Sequence, residues 1–530
     1  MASKRLTICV ATIFLCPTLF VLEAEGQVMH PAPRLVVNIT IDQLRSDWLG
    51  AFAPLYGSNG IKKVVEEGMV YENAYYPFSP RDRASASAAI STGTTPYYNG
   101  IVGDQWLDRE SLRPVYCVDD NKYEGLLTES KSSPKYLGVS TIGDELKAFS
   151  QGKAMVYSIS PFRDAAILSA GHAADGAYWI DDETGEWCSS SYYSDKIPDW
   201  IEDYNRLYPA KKHITGKSWE PDESINLTGG FSYFMSESRQ KTFSHKFSGD
   251  RRFVEYKASG PVNENVTRLA MHCVTSNGLG KDGITDLLNI TYYAGNFDHK
   301  PVSELQLELQ DTYVRLDKEI GSLINGIQLR VGARNVVFFI TGTGYSDEES
   351  DDLSKYRIPT GTFYINRTAS LLNMYFGALW GQATYVEACY GLHIFLNHKT
   401  LEDKRISLAE ATQRAQEFLG LCAGVRNVYT SQQLLTLGNE YIYDIRNGFN
   451  PDRSGDLIVE VAPGWRMYNE TNLQTKMSRA SFIPFPIIIY GAYIDKGKTE
   501  SKVSVERIAP TIAKAIRIRA PNGCSAEPLY

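Results

Sequence analysis

An α/β fold with a mostly parallel sheet flanked by helices is what this sequence predicts, and three observations predict it. Short apolar runs rich in β-branched residues recur at 35–41, 336–340, 458–461 and 487–490, the pattern of strands buried on both faces. Helical spacing lies between them, most clearly at Leu305, Leu309, Tyr313, Leu316 and Ile320. A chain of 530 residues in which strands alternate with helices is long enough for one large core plus an insertion.

The elements follow in order. Lys4 and Arg5, the apolar stretch Leu6 to Val21 and the small-residue site Ala24-Glu25-Gly26 read as a signal peptide over 1–26. Pro17 interrupts that stretch, which is short for a membrane span. The first part of the core, 27–161, opens with a buried strand over Leu35 to Ile41 that ends in Asp42. A helix is predicted over Ile61 to Glu67, another over Ala84 to Ile90 after a Ser-Pro-Arg-Asp-Arg loop, and a strand over Lys153 to Ser160. Residues 162–283 are rich in Gly, Asn, Ser, Tyr and Trp without long periodic runs, which predicts an inserted, aromatic-rich subdomain outside the main sheet. The core resumes over 284–530 and closes with an amphipathic helix from Val505 to Ile516.

Composition narrows the function classes. A net charge of -8 excludes the broad basic face that nucleic acid requires. Six cysteines remain beyond the leader, Cys117, Cys188, Cys273, Cys389, Cys422 and Cys524; none has CxxC spacing, and their pairing is not readable from sequence. The sequon at Asn38 falls inside the first strand, where a glycan has no room. The 33 tyrosines are read as packing rather than as a sugar-binding surface.

Chemistry in a parallel sheet gathers at the carboxyl ends of strands. There the chain carries Asp42-Gln43-Leu44-Arg45-Ser46-Asp47, then Ser91-Thr92-Gly93-Thr94-Thr95-Pro96 and Asn99-Gly100-Ile101-Val102-Gly103. Farther on come Ala166-Ile167-Leu168 with Ala170-Gly171-His172, Asp311-Thr312-Tyr313 with Arg315-Leu316-Asp317, Gly455-Asp456 with Pro463-Gly464-Trp465, and Ile508-Ala509-Pro510-Thr511. In order and spacing these resemble the alkaline phosphatase superfamily, in its nucleotide pyrophosphatase/phosphodiesterase-like branch, and within that branch the exported phosphate-irrepressible phosphomonoesterases.

The resemblance implies an alkaline-phosphatase-like fold and two zinc ions held by Asp and His side chains beside a Thr or Ser nucleophile. Carried over slot by slot, Asp42 is the one metal-ligand residue in place. Arg83 stands in the nucleophile slot, where a guanidinium has no lone pair to offer. Asp104 replaces a phosphate-contacting Asn, and Phe162 and Asp164 replace a Lys-x-Arg pair, with only the intervening Arg163 basic. The remaining ligand slots fall on Tyr292, Asn296, Thr343, Gly344 and Pro484. Asp298 and His299, or the acidic run Asp347-Glu348-Glu349, are candidates for a displaced site, although an acidic run is more often a solvated loop. Ser85, Ser87 and Ser91 lack a nucleophile elbow, Thr341-Gly342-Thr343-Gly344 lacks the rest of a phosphate loop, and His172 reads as structural.

The sequence therefore predicts a degenerate site with no catalytic residue, no metal and no cofactor. Arg83 is expected to form a bidentate pair with Asp42, replacing the missing metal charge. The leading expectation is a catalytically inactive pseudophosphatase, a binding or scaffold protein of the cell envelope. It would be periplasmic or outer-membrane-associated, with an envelope protein complex or a glycan as partner and membrane contact only through that partner. The alternatives are an active metal-dependent phosphomonoesterase or phosphodiesterase with a rearranged site, and an anion- or glycan-binding receptor using Arg81, Arg83 or Arg163.

Overall fold

The computed structural model describes residues 30–222, 242–347, 357, 359–436, 438, 440–477 and 483–530. The leader expected over 1–26 lies outside them. Ten strands form the main sheet. In chain order they are β1 (Leu35–Asp42), β2 (Met69–Tyr75), β3 (Gly125–Leu126), β4 (Val156–Ile159), β5 (Gly176–Ile180), β6 (Trp187–Ser190), β7 (Asp286–Tyr293), β8 (Val336–Gly342), β9 (Phe485–Gly491) and β10 (Gly497–Ser504). Their spatial order is β10-β2-β9-β8-β1-β7-β4-β5-β6-β3. The centre is parallel: β1 pairs in parallel with both β7 and β8, and β7 with β4. Antiparallel pairs appear toward the sides, β8 with β9 and β5 with β6.

Every residue of β1 is buried, as its unbroken apolar run requires of a strand covered on both faces. Period-two alternation decides which residue meets which layer. Leu35, Val37, Ile39 and Ile41 pack in one core with Tyr313, Leu316, Ile320 and Ile324 of a long helix over Gln306–Val331. Val36 packs in the opposite core, with the small-residue helices α1 (Arg83–Thr92) and α2 (Arg163–Ala170). Asn38, Thr40 and Asp42 share the face of Val36. Asn38 donates to Asn289 at 3.1 Å and is 3% exposed, so its sequon is closed to glycosylation.

α1 begins where a capping box begins it: Asp82 Oδ1 accepts from Ser85 N at 2.9 Å, and the Ser85 hydroxyl accepts from Asp82 N at 3.1 Å. Its Ala/Ser composition lets α2 approach closely, and Ser91 Oγ donates to Leu168 O at 2.9 Å. Ser85 is therefore a cap and Ser91 a helix-to-helix bond, as expected of serines without a catalytic elbow. Ser87 is buried without a hydrogen-bond partner.

Residues 162–283 do not stand outside the sheet, in contrast to the sequence expectation. α2, β5 and β6 all fall in that range, and β5 pairs in parallel with β4. The short length of these strands, and the Gly-rich turns between them, hide the β period from sequence. The aromatic residues of this stretch serve the core: Trp187, Tyr178 and Tyr204 are buried, and Trp187 Nε1 donates to Asn265 Oδ1 at 3.2 Å. A separate four-stranded sheet, Val386–Tyr390, His393–Leu396, Leu457–Val461 and Val425–Thr430, has its own core around Phe376 and Leu396. All six described cysteines are free, and among the described residues no helix is long and apolar enough to cross a membrane.

Candidate functional site

The site sits at the carboxyl end of β1. Because Asp42 follows Ile41 on the α1 face, it meets Arg83 in the first turn of α1 and Asp164 in the first turn of α2. Asp42 is fully buried. Its Oδ1 accepts from the Thr343 hydroxyl at 3.1 Å, and Thr343 Oγ1 in turn accepts from Gln43 N at 2.8 Å. Its Oδ2 accepts from Arg83 Nη1 at 3.4 Å. Burial pushes the Asp42 carboxyl up to about 6, against the downward pull of Arg83.

Arg83 makes its shorter bonds to Asp164, from Nε to Oδ1 at 2.9 Å and to Oδ2 at 3.2 Å, and lies 3.8 Å from the Phe162 ring centroid. Burial works against its charge, but Asp164, Tyr345 and Asp42 outweigh burial and hold the guanidinium well above its ordinary range. The expected bidentate pair with Asp42 is thus corrected: Asp42 receives one longer bond, and Asp164 takes the main interaction. The reason is register. Asp164 sits on the helix beside α1, at the same level, whereas Asp42 lies beneath both.

A cavity of about 720 Å³ opens above this cluster, lined by Arg81, Asp82, Arg83, Asp104, Asp164, Tyr345 and Asp347 on the core side. Tyr390, His393, Phe395, Tyr429 and Glu460 of the four-stranded sheet form its opposite wall, together with Arg453 of the segment leading into that sheet. Arg163 points away, to Asp119 at 2.9 Å and Ser132 at 3.1 Å. His172 is also elsewhere, with Nδ1 3.0 Å from Asp144 Oδ2 and Nε2 3.1 Å from Leu137 O.

Asp347, which lines the same cavity as Arg83, belongs to a second constellation. His299 Nδ1 lies 3.0 Å from Asp347 Oδ2, and Asp347 N donates to Gln43 Oε1 at 3.2 Å. The Asp347 hydrogen bond raises the His299 imidazole above its ordinary value, with burial opposing. Gln43, Asp298 and His299 all hold left-handed backbone (φ 61, 53 and 57°), a strained conformation for non-glycine residues that concentrates at functional sites. Of the sequence candidates, the structure thus gathers Asp42, Arg83, Asp104, Asp164, Thr343 and Asp347, with His299 held through Asp347; Glu348 and Glu349 lie outside the described residues. Sequence reasoning missed that Asp164 partners Arg83 and that Asp347 orients His299. The first was signalled by two charge inversions in one site; the second had no local signal.

The residues present do not fit a pair of zinc ions. Among the described residues no group of three His, Cys, Asp or Glu side chains is gathered to hold a metal. The other slots are also physically filled. The Tyr292 hydroxyl bonds Thr267 Oγ1 at 2.8 Å within the core, and Asn296 Nδ2 donates to Lys300 O at 3.1 Å. Gly344 has φ +66°, and a Cβ there would come within 2.7 Å of both Phe485 and Tyr76. Pro484 O accepts from Ser46 N at 2.8 Å.

A family model described as type I phosphodiesterase / nucleotide pyrophosphatase matches residues 36–481. The chain is 28% identical over 514 residues to alkaline phosphatase PhoV of Synechococcus elongatus, covering 93% of this chain and 91% of that protein. It is 25% identical over 517 residues to alkaline phosphatase PafA of Elizabethkingia meningoseptica, covering 94% of each. The crystal structure of wild-type PafA superposes with a TM-score of 0.81 at 24% identity over 94% of this chain and 99% of that one, which establishes the fold. These matches correct the expectation of a non-enzymatic pseudophosphatase or scaffold: relatives spanning nearly the whole chain are named as phosphatases, and the matching family is one of hydrolases.

Proposed function

The chain belongs to the type I phosphodiesterase / nucleotide pyrophosphatase family, and on that premise we propose that it hydrolyses phosphoesters in the cavity above Asp42, at a site rebuilt from protein charges. The observation that carries this reading is the His299–Asp347 pair: Asp347 lines the cavity with Arg83, and it holds His299 on left-handed backbone at the cavity's margin. Arg83 Nη2 has no hydrogen-bond partner among the described residues, and its side chain lines the cavity, so it is placed to receive a phosphoryl oxygen. His299, oriented from Nδ1 by Asp347, takes the proton of an attacking water at Nε2. The new P–O bond forms as the ester P–O bond breaks, and the imidazolium returns its proton to the departing alcohol. Lining carboxylates outnumber guanidinium groups, which favours a singly charged diester over a doubly charged monoester.

The test is turnover of bis(4-nitrophenyl) phosphate and of 4-nitrophenyl phosphate by the purified chain and by His299→Gln. Diester turnover that rises with pH as His299 loses its proton, and that falls about 100-fold or more in the variant, is the expected result. Absence of turnover of both esters, or full activity in His299→Gln, would overturn the proposal.

A further inference from the structure

We infer that Arg83 is the resident cation of this site: it occupies the electrostatic place of divalent metal, so the chain folds without zinc and does not retain it. This concerns the same cleft as the proposed activity but does not depend on turnover. Three observations carry it. Asp42 and Asp164 are both fully buried, and the guanidinium bonded to both is, among the described residues, the one cation placed between them. Two buried carboxylates without such a cation would repel each other in a medium that screens poorly. Next, the guanidinium is anchored from three sides, by Asp164 at 2.9 Å, by Asp42 at 3.4 Å and by the Phe162 ring at 3.8 Å, so an ion entering from the cavity would have to displace these contacts. Last, Phe162 and Asp164 are themselves the residues that stand where the resemblance implies Lys and Arg. A cation at the nucleophile position is thus matched by an anion and a ring face in the phosphate-binding positions. The charges have been exchanged, not merely lost.

A structural ion pair and a stand-in for a metal predict different things once the arginine is cut away. If Arg83 only ties α1 to α2, its loss weakens the fold and nothing divalent restores it. If it supplies the positive charge of a site shaped around two facing carboxylates, Arg83→Ala leaves a space that a divalent cation can fill from the cavity side.

The experiment uses the purified full chain, its Arg83→Ala variant and its Arg83→Lys variant. Zinc per chain is measured after loading and buffer exchange, and melting temperature with EDTA, zinc or calcium. The wild type should retain far less than one zinc per chain and melt at the same temperature under all conditions. Arg83→Ala should melt roughly 3–5 °C lower in EDTA and recover most of that loss with a divalent cation. Arg83→Lys, which keeps one positive charge, should fall between them and ignore the ion. One or two zinc ions retained by the wild type would overturn the inference, as would an Arg83→Ala protein that melts like wild type or stays low in every divalent salt. Should Arg83→Ala not fold, the wild-type zinc count and the Arg83→Lys response still decide the matter. None of these readings uses substrate, so loss of the hydrolase proposal would leave them standing.

Discussion

Replacing Asp42 with asparagine should shift stability relative to the wild type in the variant's favour as pH rises, and against it in acid. Asp42 is fully buried, and its carboxyl titrates at about 6 instead of the ordinary 3.8, with burial the dominant cause. At 1.36 kcal/mol for each tenfold change in proton affinity, that gap corresponds to about 3 kcal/mol. The sign follows from proton uptake. Between 3.8 and about 6 the folded chain binds more protons than the unfolded one, so stability falls as pH rises through that window and stays lower above it. A carboxamide in its place cannot ionise and escapes this loss. At about 2.1 cal/mol/K of unfolding entropy per residue, a 530-residue chain converts the 3 kcal/mol into about 3 °C. The quantity to measure is the melting temperature of Asp42→Asn minus that of wild type, by scanning fluorimetry at about pH 4.5 and about pH 8. Because about a third of the effect is already present at about pH 4.5, that difference should rise by about 2 °C between the two pH values, whatever constant cost the substitution carries through its Thr343 and Arg83 contacts. A difference that does not change with pH, or that becomes more negative as pH rises, would refute the burial argument.

Three further outcomes are expected. Gly344→Ala forces a side chain into left-handed backbone and against Phe485 and Tyr76, and should cost about 2–4 kcal/mol by denaturant unfolding. Asp317→Ala strips acceptors from Gly57 N (2.8 Å) and Ile61 N (2.7 Å), the latter the first residue of a helix, and should cost about 2–4 kcal/mol while leaving the cavity residues untouched. His172→Gln should show a pH-dependent deficit of less than about 1 kcal/mol, small because the ring is more than a third exposed. The Asp144 hydrogen bond raises the His172 imidazole, so its stabilisation is present below about 6.5 and is lost as pH rises through the elevated value; melting curves of variant and wild type should converge in alkali.

The central sheet was legible because its middle strands are buried on both faces and therefore spell continuous apolar runs: Leu35 to Ile41 and Val336 to Ile340 appear almost as predicted. β5 and β6 were not, since four or five residues beside Gly171, Gly176 and Gly185 carry too little of any period to distinguish a sheet strand from a loop. At the site, residue identities could be placed from sequence order, and that order led from Asp42 to Arg83. Which carboxylate Arg83 would choose depended on two helix N-termini lying side by side, a fact of packing that no spacing records. The expectation of inactivity failed for a related reason. Counting missing ligands along the chain says what one chemistry has lost and gives no weight to relatives named as phosphatases over nearly its whole length; His299 and Asp347, named separately as candidates, meet only after folding.

The borders of the main sheet have a consequence for how the protein behaves in company. One border, β3, is only two residues long. The other, β10, carries Lys498, Glu500 and Lys502, with Lys498 bonded to Glu72 at 2.7 Å and Lys502 lying 4.2 Å from the Tyr75 ring centroid. A neighbouring chain seeking to extend the sheet would meet either too few free amides to grip or a picket of charges that must be stripped of water first. The main sheet is therefore guarded against zipping to its own copies, and a companion meeting these two borders must approach through side chains instead of by lending a strand.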